Sequence, residues 1–304
     1  MSTTLWILNI SMWIFLGLMS ALCLGFYDVF KKMSLKGNNV PVVLLLNTLF
    51  GTLLLSPVLV ESVAQGHYGP GETLTQNLLV ALKAVIVLSS WILGYFAIKH
   101  LPLTIQGPIN ASRPVLVLLG ALLIFGERLN VLQWCGMLLG FASLFFISRI
   151  GAKEGFSFKA SIWLWMSIGA TMLGAVSALY DKFLMGMFRP LQVQAWYSFY
   201  QMLMMGVVVL LLRRFAPAHS GGKFKWRWSI LGISIFLTVA DLAYVYGLTI
   251  PGAMISIVSM TRRGSVIIPF LYGVLVLKEK NVKAKAIDLS ILFLSLVLLV
   301  LGSR

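Results

Sequence analysis

Arg113, Arg262 and Arg263 stand inside long apolar runs of this 304-residue chain, where a charge is costly. Arg113 follows Leu103 by ten residues and precedes Glu127 by fourteen. At 1.5 Å per helical residue it lies ~15 Å from the nearer end of its run, near the middle of a bilayer. Insertion scales put each central arginine at ~2.5–3.5 kcal/mol, so three cost on the order of 8–10 kcal/mol. Such groups are either neutralised inside the protein or line a wet cavity that takes an anion. A planar guanidinium suits two-point capture of a carboxylate or phosphate. Asp241, in another apolar run, is the internal counter-charge, but one carboxylate neutralises one guanidinium and leaves an excess near +2. The candidate substrate-binding residues are therefore Arg113, Arg262 and Arg263 with the neighbouring Gln106, Asn110 and Ser259, and Asp241 is the charge-pairing or proton-coupling residue. The competing account is a salt-bridge network locking helices together. For Gln106, Asn110, Ser112, Ser259 and Thr261 it is hydrogen bonding between helices.

Other polar and aromatic residues read more plainly. Trp91, Tyr95, Tyr244 and Tyr246 can wall a cavity, with packing the preferred reading. Asp28 and Asp181 are expected to pair with Lys31 and Lys182 rather than to gate opposite mouths. Glu127 and Glu279, beside Arg128, Lys278 and Lys280, are expected to form ion pairs at the membrane interface, and Lys83 to snorkel to the surface from one turn inside its helix. His67, His100 and His219 fall in loops, too scattered for a metal or a proton relay. No zinc pair, phosphate-cradling glycine loop or ATPase motif is present, so neither an enzyme nor a cofactor or metal is expected.

The elements that must position these residues follow from composition. Hydrophobic residues make up 59% and charged ones 11%, with mean hydropathy +0.94, which excludes an ordinary soluble globule. Ten apolar runs are long enough to cross a bilayer as helices: 6–26, 40–60, 78–98, 103–125, 129–148, 161–180, 191–212, 228–248, 253–277 and 286–302. Most of the nine tryptophans fall near run ends, as an interfacial belt would. Cys23 and Cys135 lie within apolar runs, against a disulfide or zinc site. The net charge of +15 sits mostly in the gaps between runs, which points to membrane topology and not to nucleic acid.

The runs repeat. Tyr27-Asp28-Val29-Phe30 and Tyr180-Asp181-Lys182-Phe183 close runs one and six at an offset of 153; Gly126-Glu127-Arg128 and Lys278-Glu279-Lys280 close runs four and nine at 152. Five helices per unit is odd, so the second copy enters from the opposite side. The expected architecture is an all-α integral membrane protein of ten transmembrane helices in two inverted five-helix repeats, residues 1–150 and 151–304, with a site between them. Outside the deep positions, sixteen Lys and Arg follow the odd-numbered runs and four follow the even-numbered ones. By the positive-inside rule both termini are extracytoplasmic.

The ten runs, the doubled unit and the Gly-Glu-type ends of the fourth and ninth helices resemble the EamA branch of the drug/metabolite transporter superfamily. The most telling stretch is Ser112-Arg113-Pro114 through Gly120 to Gly126-Glu127; the ninth helix, Ser265 to Glu279, matches more loosely, with Val266 where the family often has proline. The resemblance implies a multi-pass inner-membrane carrier of small molecules with both termini cytoplasmic, opposite to the charge count. Plastid-type sugar-phosphate translocators of that superfamily likewise place basic residues on helices four and nine. The runs holding the arginines are also the interrupted ones, at Gly107, Pro108 and Pro114 and at Pro251, Gly252, Gly264 and Pro269. The expected function is secondary transport of a small anionic or zwitterionic metabolite by alternating access. Its partners are that substrate, membrane lipids and, in a coupled version, protons, with no nucleic acid. Export of amino acids or amphipathic drugs, or flipping of a lipid phosphate, is the alternative.

Overall fold

The computed structural model describes residues 3–71, 73–125, 130–154, 161–185, 187–215, 223–250 and 262–302. Among them the regular elements are helical: α1 (Thr3–Leu35), α2 (Val40–Leu54), α3 (Ser56–Ala64), α4 (Leu74–His100), α5 (Leu103–Ala111), α6 (Arg113–Phe125), α7 (Val131–Lys153), α8 (Ile162–Met185), α9 (Pro190–Phe215), α10 (Ser229–Thr249), a 3-10 turn (Gly264–Val266), α11 (Ile267–Leu275) and α12 (Val282–Gly302). Four segments are long and apolar enough to cross a membrane: Leu74–His100, Val131–Lys153, Ile162–Asp181 and Pro190–Phe215. The pair α2 and α3, bent by 53°, makes a fifth if it is one span.

Local chemistry sets the boundaries. Asn39 caps α2 by accepting from the Val42 amide at 3.1 Å. Thr73 with Gln76 opens α4, and Asn130 with Gln133 opens α7, each as a capping box. Pro57 follows the bend between α2 and α3. Pro114, without an N–H to donate, follows the break at Ser112 that separates α5 from α6. Both arginine positions coincide with interruptions: Arg113 opens α6, and Arg262 and Arg263 directly precede the 3-10 turn.

Packing relies on small residues, because lipid offers apolar side chains as good an environment as another helix does. α1 lies along α10, α4 along α8, α7 along α12 and α2 along α9. Gly136 and Gly140 present one face of α7 to α12, and Ser295 donates to the Gly136 carbonyl at 2.6 Å. At Gly25 a Cβ would stand 2.6 Å from that of Ile268 and 2.9 Å from the Ser265 carbonyl, so α1 crosses the 3-10 turn and α11 at backbone distance.

Hydrogen bonds gather the loops into two groups. Lys32 donates to the carbonyls of Ile98 and Leu101 at 2.7 and 2.5 Å, Lys99 to that of Asn38 at 2.9 Å, Asn38 to that of Lys225 at 2.7 Å, and Asn281 to the Glu154 carboxylate at 3.0 Å. These bonds join the segments after runs one, three and seven, and separately those after runs five and nine; the Glu279 carboxylate, accepting from the Leu103 and Thr104 amides, links the two sets. Asn130, at the start of run five, instead donates to the Gly302 carbonyl at the end of run ten. The tryptophan belt expectation is corrected at two positions. Trp196 is buried, and Trp91 lines the interior, because both fall on faces packed inward.

Candidate functional site

The broken helices α5/α6 and the stretch at 262–266 meet α1, α4, α8, α9 and α10 around a cavity of about 260 Å³. Of the sequence-derived candidates, Arg113, Arg262, Arg263, Gln106, Asn110 and Asp241 all line it. Ser259 and Thr261 lie outside the described residues. Ser112 does not line it; its hydroxyl turns back to the Ile109 carbonyl at 2.6 Å. Trp91, Tyr95 and Tyr244 line the cavity, so packing alone is not their role, whereas Tyr246 is exposed.

Five cations and three carboxylates surround this space: Lys31, Lys83, Arg113, Arg262 and Arg263 against Asp28, Asp181 and Asp241. Lys31 pairs with Asp28 at 2.7 Å and lies over the Tyr27 ring. Lys83 pairs with Asp181 at 2.8 Å and lies over Tyr197, 4.5 Å from the ring centre. Arg262 pairs with Asp241 and lies over Tyr244, also at 4.5 Å. Among the described residues, these ion pairs leave Arg113 and Arg263 without a carboxylate. Arg113 donates to the side-chain carbonyl of Asn110 at 2.9 Å, and the Nε atoms of Arg113, Arg262 and Arg263 have no hydrogen-bond partner. Asp28, already engaged by Lys31, also borders a small pocket with Arg263. The net excess is two positive charges. The Arg113 guanidinium lies against Gly174 of α8, where a Cβ would stand 2.5 Å from its Cζ.

Three expectations are corrected here. Lys83 does not snorkel: α4 begins at Leu74, so Lys83 sits nine residues into it, 5% exposed and facing the cavity. Asp181 takes Lys83 as a partner, and the Lys182 side chain lies outside the described residues. Glu279 does not belong to an interfacial cluster with Lys278 and Lys280. It accepts from the Leu103 amide at 2.8 Å, the Thr104 amide at 3.0 Å and the Thr104 hydroxyl, capping α5 from across the fold. Positive φ at Lys278 and Asn281, 52° and 54°, turns the chain so that Glu279 reaches this helix start. Glu127 lies outside the described residues. His100 ends α4 instead of lying in a loop, and stacks on Trp163 with ring centres 3.6 Å apart. Because Glu279 satisfies two amides and a hydroxyl, Glu279→Ala is expected to lower stability by about 1–2 kcal/mol, with Glu279→Gln losing less; thermal unfolding in detergent measures both.

Residues 11–149 match the EamA-like transporter family. Over that segment, just under half of its length, the chain is similar to EamA-like transporters. The matched segment runs from α1 to near the end of α7 and so contains Gln106, Asn110 and Arg113. Proteins of the EamA-like family are transporters and not enzymes, and the several helices here long and apolar enough to cross a membrane agree with a multi-pass membrane protein. No curated protein matches it. A solved structure titled only "Crystal structure of protein" aligns over 97% of this chain and 98% of its own, with a TM-score of 0.64 and 14% identity. The fold is thus one already seen along the whole length of the chain.

Proposed function

We propose that the chain is a secondary transporter that moves a small anionic or zwitterionic metabolite across the inner membrane by alternating access. Its ten transmembrane helices form two inverted repeats, residues 1–150 and 151–304, around the basic cavity. The observation that carries this reading is the pair of guanidiniums, Arg113 and Arg263, left without a carboxylate beside three ion-paired cations. A buried excess of charge is costly, and an anion entering from water offsets it.

The repeat is supported by the way helices pair. Ser20 donates to the Ala240 carbonyl and Ser90 to that of Ala170, both at 2.7 Å. A shift of 150 positions, within one helical turn of the 152 and 153 that relate the motifs, takes Ser20 to Ala170 and Ala240 back to Ser90, so the two bonds occupy equivalent places with donor and acceptor exchanged. The α1–α10 and α4–α8 contacts are exchanged in the same way, while α2–α9 and α7–α12 map onto themselves. The gathering of segments after odd-numbered runs supports ten crossings and collects the basic loops on one face. By the positive-inside rule that face is cytoplasmic, with both termini on the other. The excess positive charge favours anionic cargo over the amphipathic-drug alternative.

The test is counterflow in proteoliposomes preloaded with inorganic phosphate, dicarboxylates or amino acids, paired with thermal stability in the same compounds. Folded-state binding raises stability by mass action. Exchange and stabilisation by anions or zwitterions, with neutral sugars inert, is the expected outcome. Equal effects from neutral or cationic compounds would overturn the reading.

A further inference from the structure

Behind Asp241 lies a second polar space that anion binding does not use. It measures about 20 Å³, room for roughly one water-sized occupant, and is bounded by α2, α4, α9 and α10. Asp241 stands in the wall between it and the basic cavity. Five hydroxyl-bearing residues line it, Thr48, Tyr197, Ser198, Ser234 and Thr238, and three of them have already given their single proton away. Thr48 donates to the Leu45 carbonyl at 2.9 Å, Ser198 to the Gln194 carbonyl at 2.9 Å, and Ser234 to the Asn47 side-chain oxygen at 3.0 Å. What they have left for the pocket is lone pairs. Gln201, 1% exposed, also lines it, and its Nε2 has no partner. A half-turn of that amide presents Oε1 in the same place.

Hydroxyl and amide oxygens beside one carboxylate are ligands for a hard cation, and a single carboxylate balances a single charge. We propose that this pocket binds a sodium ion, which serves as the counter-charge of Asp241 when a substrate anion draws Arg262 away. Asp241 holds Arg262 through Oδ1 and accepts from Gln194 at Oδ2, 3.0 Å. Arg262 also lines the basic cavity, so an anion there competes with Asp241 for the same guanidinium. A carboxylate stripped of its partner inside the membrane demands a replacement. Anion and sodium therefore each raise the other's affinity, which is the coupling a symporter needs. A proton would also neutralise Asp241, but it has no use for the oxygens of Thr48 and Ser198. Asp241 is the only ionised group on this pocket's described wall, and Tyr197 the only other titratable one.

The coupling rests on the proposed anion site; the pocket itself does not, and the experiment separates them. Radioactive sodium binding to the purified full-length protein is measured against choline at equal ionic strength, with inorganic phosphate as the anion probe. Arg262→Gln is expected to bind sodium about tenfold more tightly than the parent. Adding Asp241→Asn abolishes the gain, adding Thr48→Val or Ser198→Ala reduces it severalfold, and phosphate tightens sodium binding to the parent. Phosphate stabilising the parent while Arg262→Gln gains no sodium binding overturns the pocket and leaves the anion site standing. Sodium binding by Arg262→Gln with no response of the parent to phosphate supports the pocket and overturns the anion reading. Acidification replacing sodium, with Thr48→Val indifferent, overturns sodium in favour of the proton.

Discussion

Glu154→Ala is expected to destabilise the protein by about 3–5 kcal/mol, the loss seen when one member of a buried ion pair is removed and its partner is left uncompensated. Lys285, in the first turns of α12, is fully buried, and its ammonium contacts the Glu154 carboxylate at 2.8 Å. The Glu154 side chain is itself 7% exposed and also takes the amide of Asn281, so one carboxylate ties the end of α7 to the start of α12. Nearby, Asp288 is equally buried and receives only the Ser143 hydroxyl, at 3.0 Å, with its second oxygen unpartnered. It gives Lys285 no pairing within salt-bridge distance among the described residues. The cost is the stranded ammonium and not the lost attraction, so the sign reverses in the double variant. Glu154→Ala with Lys285→Met should recover most of the loss. Denaturant or thermal unfolding in a fixed detergent measures both, and a single variant within about 1 kcal/mol of the parent would contradict the argument. Since this pair lies apart from the basic cavity, anion binding by protein that remains folded should be unchanged.

How far the site is legible in sequence follows from what a lipid environment charges for each group. Arg113, Arg262, Arg263 and Asp241 announce themselves because no apolar run retains such residues cheaply. Lys83 is misread only because the start of its helix is misplaced. Thr73 and Gln76, at capping-box spacing, mark the true start and place Lys83 well inside. Asn47, Gln194 and Gln201 carry the same signal as the arginines in weaker form, since an amide within an apolar run also needs a partner, and the second polar pocket is built around them. Glu279 is different. Its role as the cap of α5 depends on two non-glycine residues with positive φ, a conformation the local sequence does not advertise, and on a helix start 176 positions away. The identity of the Lys83 partner is likewise a property of how α4 and α8 meet, which no single run encodes.

Arginines that brace helices and arginines that await an anion predict opposite stabilities, and this makes the second large effect decisive. If Arg113 and Arg263 were struts, their removal would weaken the fold whatever the solution contained. If they wait for an anion, they repel each other in its absence. Arg113→Ala with Arg263→Ala should then leave the anion-free protein at least as stable as the parent, the trade commonly found between stability and a site built for a ligand. Each charged hydrogen bond to a bound anion is worth about 1.5–3 kcal/mol, so phosphate affinity should fall roughly 10²- to 10⁴-fold in the double variant. A gentler probe comes from α8. The Arg113 guanidinium occupies the space a Gly174 side chain would fill, and it ends a flexible chain that can yield to a methyl group at little cost. Gly174→Ala should therefore displace the guanidinium without unfolding the bundle, weakening phosphate binding in the direction of Arg113→Ala but less severely. Calorimetric titration with phosphate, run beside thermal unfolding without it, reads both quantities on the same sample. A double variant that unfolds more easily yet binds phosphate as the parent does would make these arginines braces, and the excess charge of the cavity would need another explanation.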